Sequence, residues 1–313
     1  MSAGRYVLGW DLLRLVAALD IVGHHVGNGH VFWGLGLPVF LLFGTMLGLS
    51  KAQPRSFLDF AKARAKRIVV PWLFWSLIIS GLLALEASFG LPDRPFYFQW
   101  LMPLYGPEIH LWFLPFIAFA GCGSYALWRW LPESRAMRMV TSFASGGCLV
   151  AAWEFSPEVV WPFQQWLFGL AAVPLGVALG RTQALVEDVV TRRREWLAHL
   201  GLMLVLPLAV EAYLRGGLSL DAIGARYCGA LLLLVIASRW TDSAWWPRHP
   251  ALQPAQYMLG VYILHPSVYR WLVSPILGPL GLSGEVWLRV GLTFVFSLAI
   301  VGALRLTKLK SVL

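Results

Sequence analysis

The sequence predicts an all-α polytopic integral membrane protein. We read it as a single helical bundle over residues 1–313 with about ten transmembrane helices and both termini cytoplasmic. Three observations predict it. Hydrophobic residues make up 58% of the 313 and charged residues 13%, against roughly 25% charged in a soluble domain that must cover its own surface. Apolar stretches near the about 20 residues that a bilayer-crossing helix needs recur along the whole chain. The basic residues also alternate between loops as the positive-inside rule requires.

The expected spans are 6–27, 32–50, 68–88, 111–131, 138–154, 162–180, 197–214, 223–240, 256–275 and 286–305. The first opens like a signal peptide, but Asp11, Arg14 and Asp20 interrupt its apolar core and no A-x-A cleavage site follows, so it counts as a span. Residues 51–67 read as an amphipathic cytoplasmic helix leading into the third span. Ser56 caps it, and Phe57, Leu58, Phe60 and Ala61 oppose Lys62, Arg64, Lys66 and Arg67. Residues 89–110, with four prolines and several aromatics, read as an outside loop that folds back toward the bundle.

With the N-terminus inside, nineteen of the 25 Lys and Arg residues fall in cytoplasmic segments and five in external segments or span ends, with Arg14 inside the first span. That asymmetry orients the chain. It also accounts for the net charge of +9 without nucleic acid, which is not expected as a partner. Cys122, Cys148 and Cys228 are odd in number, form no CxxC pair and lie in apolar segments. They read as small packing residues, neither disulfides nor metal ligands, and no metal is expected.

Ionisable side chains in a membrane helix are expensive unless they face a polar interior. The first span carries five: Asp11, Arg14, Asp20, His24 and His25. At 3.6 residues per turn Arg14 and His25 fall about 20° apart on the helical wheel and about 16 Å apart along the axis, with Ala18 and Ile21 between them on the same stripe. Asp11 sits one turn before Arg14 and can pair with it. Asp20 and His24 lie on a different face and can pair with each other. An Asp11–Arg14 pair can also be purely structural, Asp20–His24 a neutralised packing pair, and His25 taken alone an interfacial histidine. The shared Arg14–His25 face favours function.

Arg64 and Arg67, with Lys62 and Lys66, form a cationic surface at the cytoplasmic end of the third span. Arginine forks match phosphates bidentately, but an ordinary basic cluster drawn to anionic headgroups has the same spacing, and spacing alone favours the latter. Trp112 and Phe113, after His110, stand at the depth of an aromatic belt. His265, with Tyr262 one turn before it, lies deep in the ninth span, where a histidine usually satisfies a core hydrogen bond.

Taken in order, these segments resemble the membrane-bound acyltransferase 3 family of bacterial saccharide O-acyltransferases. The resemblance runs through Trp10-Asp11-Leu12-Leu13-Arg14, then ten residues to His25, and Leu37-Pro38-Val39-Phe40-Leu41-Leu42-Phe43-Gly44. It continues through Arg64-Ala65-Lys66-Arg67 with Pro71-Trp72, then His110-Leu111-Trp112-Phe113-Leu114 and Tyr262-Ile263-Leu264-His265-Pro266. Where the family commonly has Ser-Gly in the second span this chain has Phe43-Gly44, and Met258-Leu259 stands where Ser-Tyr often precedes the late Tyr and His. No soluble hydrolase-like domain follows the last span, so a stand-alone member is expected.

The resemblance implies a multi-pass enzyme of the bacterial inner membrane. It would transfer an acyl group, usually acetyl, from cytosolic acyl-CoA, the donor co-substrate, to a hydroxyl of a saccharide or lipid-linked glycan. His25 would be catalytic, as the base that activates the hydroxyl or as a covalent acyl carrier. Arg14, oriented by Asp11, would stabilise the oxyanion or hold the donor. Arg64, Lys66 and Arg67 would hold the CoA phosphates. Trp112, Phe113, Tyr262 and His265 would lie on the substrate side, the last two also supporting the core. Membrane lipid is the other expected partner. The competing class is a transporter or flippase for a sugar or small anion, which would also place Arg and His in a polar cavity. It would more naturally show inverted repeats, and none is visible.

Overall fold

A computed structural model of the chain describes residues 8–27, 34–50, 56–89, 100–130, 163–186, 223–238 and 256–312, with isolated residues between 134 and 217. The described residues are mostly helical, with no strand among them. In chain order the helices are α1 (Leu8–Val26), α2 (Gly36–Ser50), α3 (Phe57–Arg64), α4 (Val70–Ser88), α5 (Met102–Tyr105) and α6 (Phe113–Trp130). They continue as α7 (Phe163–Leu170), α8 (Ala172–Val186), α9 (Ile223–Ser238), α10 (Met258–Val268), α11 (Ser274–Leu277) and α12 (Val286–Arg305). Expected spans 138–154 and 197–214 lie largely outside the described residues.

Among the described residues three helices are long and apolar enough to cross a membrane: Phe57–Ser88, Ile109–Trp130 and Val286–Arg305. Gly36–Met46, Phe163–Leu179 and Ile223–Ala237 are apolar but shorter. The amphipathic segment and the third span are one continuous helix. Ser56 caps it as expected, its Oγ accepting from the Asp59 amide at 3.1 Å. The join is a single π-helical turn, Ala65–Val69. A second π turn, Tyr269–Val273, joins α10 to α11. Each π turn ends two residues before a proline, Pro71 or Pro275. A proline cannot donate to the carbonyl four residues back and its ring crowds that carbonyl. A widened turn just upstream relieves the crowding.

The chain divides into two compact units, one formed by residues 1–40, 229–311 and 313, the other by residues 41–228 and 312. In the first unit α1, α10 and α12 pack against one another. Helix α10 is apolar nearly all round and buries Met258, Gly260, Val261, Tyr262, Ile263, Leu264, His265 and Val268, as a helix enclosed by others should. Gly9 lets α1 approach the α9 backbone at Ala237, whose carbonyl fills the space a Cβ would need. The Asp20 carboxylate, buried on α1, accepts from the Gly36 amide at 2.7 Å, so a side chain from another helix satisfies one of the orphan donors at the start of α2. At the other end, Arg305 in the last turn of α12 donates to the Gln256 carbonyl and to Gln256 Oε1, each at 2.7 Å.

In the second unit α6 is the central helix and packs against α3, α5, α7 and α8. Tyr125 is fully buried with Leu49 and Val177, and Phe60 stacks on its ring at 4.1 Å. Within residues 89–110, α5 lies against α6. Gly106 makes the turn at φ 82, a backbone conformation that only glycine adopts without strain.

Candidate functional site

In the first unit α1 holds Asp11 and Arg14 near its N-terminal end and His24 and His25 in its last turn. Arg14 Nη1 donates to Asp11 Oδ1 at 3.0 Å, the pairing that their i, i+3 spacing predicts. Asp11 is nearly enclosed and Arg14 about a quarter exposed, with side-chain values of 7% and 23%. Such a charge-assisted bond at the edge of a low-dielectric interior is stronger than the same pair in water. Ala18 and Ile21, on the stripe between Arg14 and His25, are buried.

His25 is exposed, and its ring lies beside two others. His24 is edge-on with centroids 5.5 Å apart. His265 on α10 is tilted by 45° with centroids 5.2 Å apart. His265 itself is completely buried. Its Nδ1 is 2.8 Å from the Tyr262 carbonyl oxygen and 3.2 Å from that of Val261, and the Tyr262 ring stands 6.1 Å away by centroids. The structure therefore brings together His25, His265 and Tyr262, which the chain separates widely.

In the second unit the basic cluster divides. Lys62, Lys66 and Arg67 are exposed. Arg64 turns inward, where its Nη2 donates to the Gly44 carbonyl of α2 and lies 3.5 Å from the Ile117 carbonyl of α6. Its guanidinium carbon stands 5.9 Å from the centre of the Phe60 ring. The slot exists because Gly121 of α6 has no side chain, for a Cβ there would overlap the Arg64 guanidinium. Gly44 is likewise filled from outside, by Ile117. Backbone carbonyls and an aromatic face are the neutral partners that let a cation sit among apolar helices.

Trp112 and Phe113 are buried. A 3₁₀ turn, Ile109–Trp112, leads into α6, and both side chains point into the protein at 5% exposure. Trp112 packs on Phe113 and Phe116 at centroid distances of 6.4 and 5.6 Å. α5 lies against both the 3₁₀ turn and α6. None of the three cysteines is in a disulfide, and among the described residues no group of three or more His, Cys, Asp or Glu is placed to hold a metal ion.

Residues that spacing did not single out are Gly121, which makes room for Arg64, and Pro266, whose position after His265 governs which carbonyl the imidazole reaches. Pro266 was legible: a proline inside a helix always frees the carbonyl four residues back, here that of Tyr262.

A single helix carrying an Asp–Arg pair at one end and an exposed imidazole backed by a buried imidazole at the other has the functional groups for acyl transfer to a nucleophile. The protein comparison agrees. The family model described as an acyltransferase domain matches residues 7–306, and the chain belongs to this acyltransferase family. No curated protein and no solved structure matches the chain.

Proposed function

We propose that this acyltransferase moves an acyl group, acetyl in the simplest case, from cytosolic acyl-CoA to a hydroxyl of a saccharide or lipid-linked glycan at the bacterial cytoplasmic membrane. The observation that carries the reading is the exposed His25 ring seated on the buried His265 ring, on the same helix as the Asp11–Arg14 pair, in a chain of acyltransferase family.

The chemistry follows from what an imidazole can do. A hydroxyl is a weak nucleophile, and neutral His25 removes its proton as the oxygen bonds to the thioester carbonyl carbon. The negative charge that develops on the carbonyl oxygen needs a cation or preorganised donors. Collapse of the tetrahedral species breaks the C–S bond, and the proton held on His25 passes to the departing thiolate. Arg14, held by Asp11, binds the donor, a role that its offset of about 16 Å from His25 along α1 favours over contact with the oxyanion. Exposed Arg67 and Lys66 bind the CoA phosphates. Arg64 adds positive potential from behind, because its Nη2 is already committed to a carbonyl. Tyr262, packed beside His265, belongs to the acceptor side of His25.

The test is incubation of the purified, reconstituted protein with radiolabelled acetyl-CoA and membrane glycan. Release of CoA thiol with label on the glycan, or as free acetate when no acceptor is present, is expected. No thiol release with any acceptor, combined with sugar or anion uptake by the same vesicles, would replace the enzyme reading with the transporter reading.

A further inference from the structure

Beyond a catalytic His25, the structure places a second imidazole where it can govern the first. Pro266 lies inside α10 and has no amide hydrogen, so the Tyr262 carbonyl, four residues back, receives no helical hydrogen bond from it. The group that takes that carbonyl is the side chain of the preceding residue, with His265 Nδ1 2.8 Å away. The second approach of Nδ1, to Val261, is also to a carbonyl oxygen. Carbonyl oxygens only accept, so Nδ1 must carry the hydrogen. In a neutral imidazole the other nitrogen, Nε2, is then the acceptor. The His265-Pro266 dipeptide thus fixes a tautomer by backbone chemistry alone. The ring across from it is His25, with centroids 5.2 Å apart; Nε2 is buried and forms no hydrogen bond in this arrangement, and a turn of the neighbouring His25 ring brings one of its nitrogens within hydrogen-bond distance of it.

We propose that His265 is a positioning residue that accepts a hydrogen bond from His25 and thereby directs the lone pair of the other His25 nitrogen toward the acceptor hydroxyl. This rests on His25 being the base. When His25 takes the hydroxyl proton it becomes an imidazolium with both nitrogens protonated. The bond to His265 Nε2 then becomes charge-assisted and strengthens as the proton moves. The proton goes on to the departing thiolate, and His265 neither gains nor loses one over the cycle. The arrangement does for His25 what an orienting acid does for the base of a hydrolase triad, with a neutral acceptor in place of a carboxylate.

Two substitutions separate this role from a structural one. In His265→Gln the amide oxygen reaches the place of Nε2 and the donor at Nδ1 is lost. In His265→Asn the amide nitrogen keeps the place of Nδ1 and the Tyr262 carbonyl, and the acceptor at Nε2 is lost. We expect kcat to fall by about 10²-fold or more in the Asn variant, to fall much less in the Gln variant, and KM for acyl-CoA to change in neither. A ring needed only to satisfy the Tyr262 carbonyl would give the reverse order, and Asn as active as Gln would overturn the proposal. Pro266→Ala restores an amide that competes for that carbonyl, and is expected to lower kcat without lowering the melting temperature.

A second readout does not need activity. In full-length protein with ¹⁵N-labelled histidine rings in bilayers, the signal lost in His265→Gln should be that of a neutral ring protonated at Nδ1. A ring protonated at Nε2 instead would overturn the proposal. If His25→Ala retains acyl transfer, the catalytic reading of His25 fails, and the order of the Gln and Asn variants has no bearing on that result.

Discussion

His25 and His265 lie ring beside ring, the first exposed at the end of α1 and the second sealed inside α10. One imidazole can meet a substrate, and the other can meet only protein. Substitutions on the two rings should therefore differ in kind, since loss of the exposed ring removes a reacting group and loss of the buried one also disturbs packing.

The Arg64 slot gives a sharp contrast between neighbouring glycines. A Cβ on Gly121 would overlap the Arg64 guanidinium, whereas a Cβ on Gly123 meets only Val173 Cγ1, at 3.8 Å. Gly121→Ala should destabilise the protein by about 1–3 kcal/mol, the usual cost of overpacking, and Gly123→Ala should be close to neutral. Thermal unfolding in detergent checks both. Combining Gly121→Ala with Arg64→Ala should recover part of the loss, because contacting residues couple; strict additivity would mean that Arg64 does not occupy the slot.

The division of the basic cluster predicts two phenotypes. Arg67→Ala removes an exposed charge and should weaken acyl-CoA binding about tenfold, close to 1.4 kcal/mol, with the melting temperature unchanged. Arg64→Ala should lower the melting temperature as well, because the Gly44 carbonyl loses its buried donor. Calorimetric titration with CoA, run beside thermal unfolding, separates them. Unchanged CoA affinity in both variants would return the cluster to a role in orienting the chain.

The Asp11–Arg14 bond is the ion pair of α1 and its removal should be felt. Asp11→Asn keeps the shape and deletes the charge opposite Arg14, for an expected loss of about 1.5–3 kcal/mol. A melting temperature equal to that of the parent would show the pair to be as weak as an exposed one.

Topology follows from the distribution of Lys and Arg. A reporter joined after Leu313 should lie in the cytoplasm and one inserted near Asp93 outside. Both on one side would overturn the count of spans.

How much of this was legible in the sequence differs by feature. Local spacing foretold the Asp11–Arg14 pair, the Ser56 cap and the helical character of the chain, because each depends on residues within one or two turns. The inward turn of Arg64 was hidden, since its acceptors lie on α2 and α6 and the vacancy it fills is a glycine far along the chain. The burial of Trp112 and Phe113 was also hidden, since it depends on how the start of α6 packs. The Asp20–Gly36 bond was missed for the same reason, being a contact between helices. The approach of His25 to His265 needed the packing of α1 on α10, although the tautomer that makes it useful is written in His265-Pro266.

The most direct measurement compares acyl transfer by His25→Ala and His24→Ala at matched levels in membranes. The two residues are adjacent in α1, and it is the His25 ring that lies beside His265. His25→Ala should lose transfer by about 10²–10⁴-fold, the usual contribution of a general base, while still binding CoA. His24→Ala should keep most of its activity. An active His25→Ala protein beside an inactive His24→Ala protein would contradict the account and move the chemistry to the neighbouring histidine.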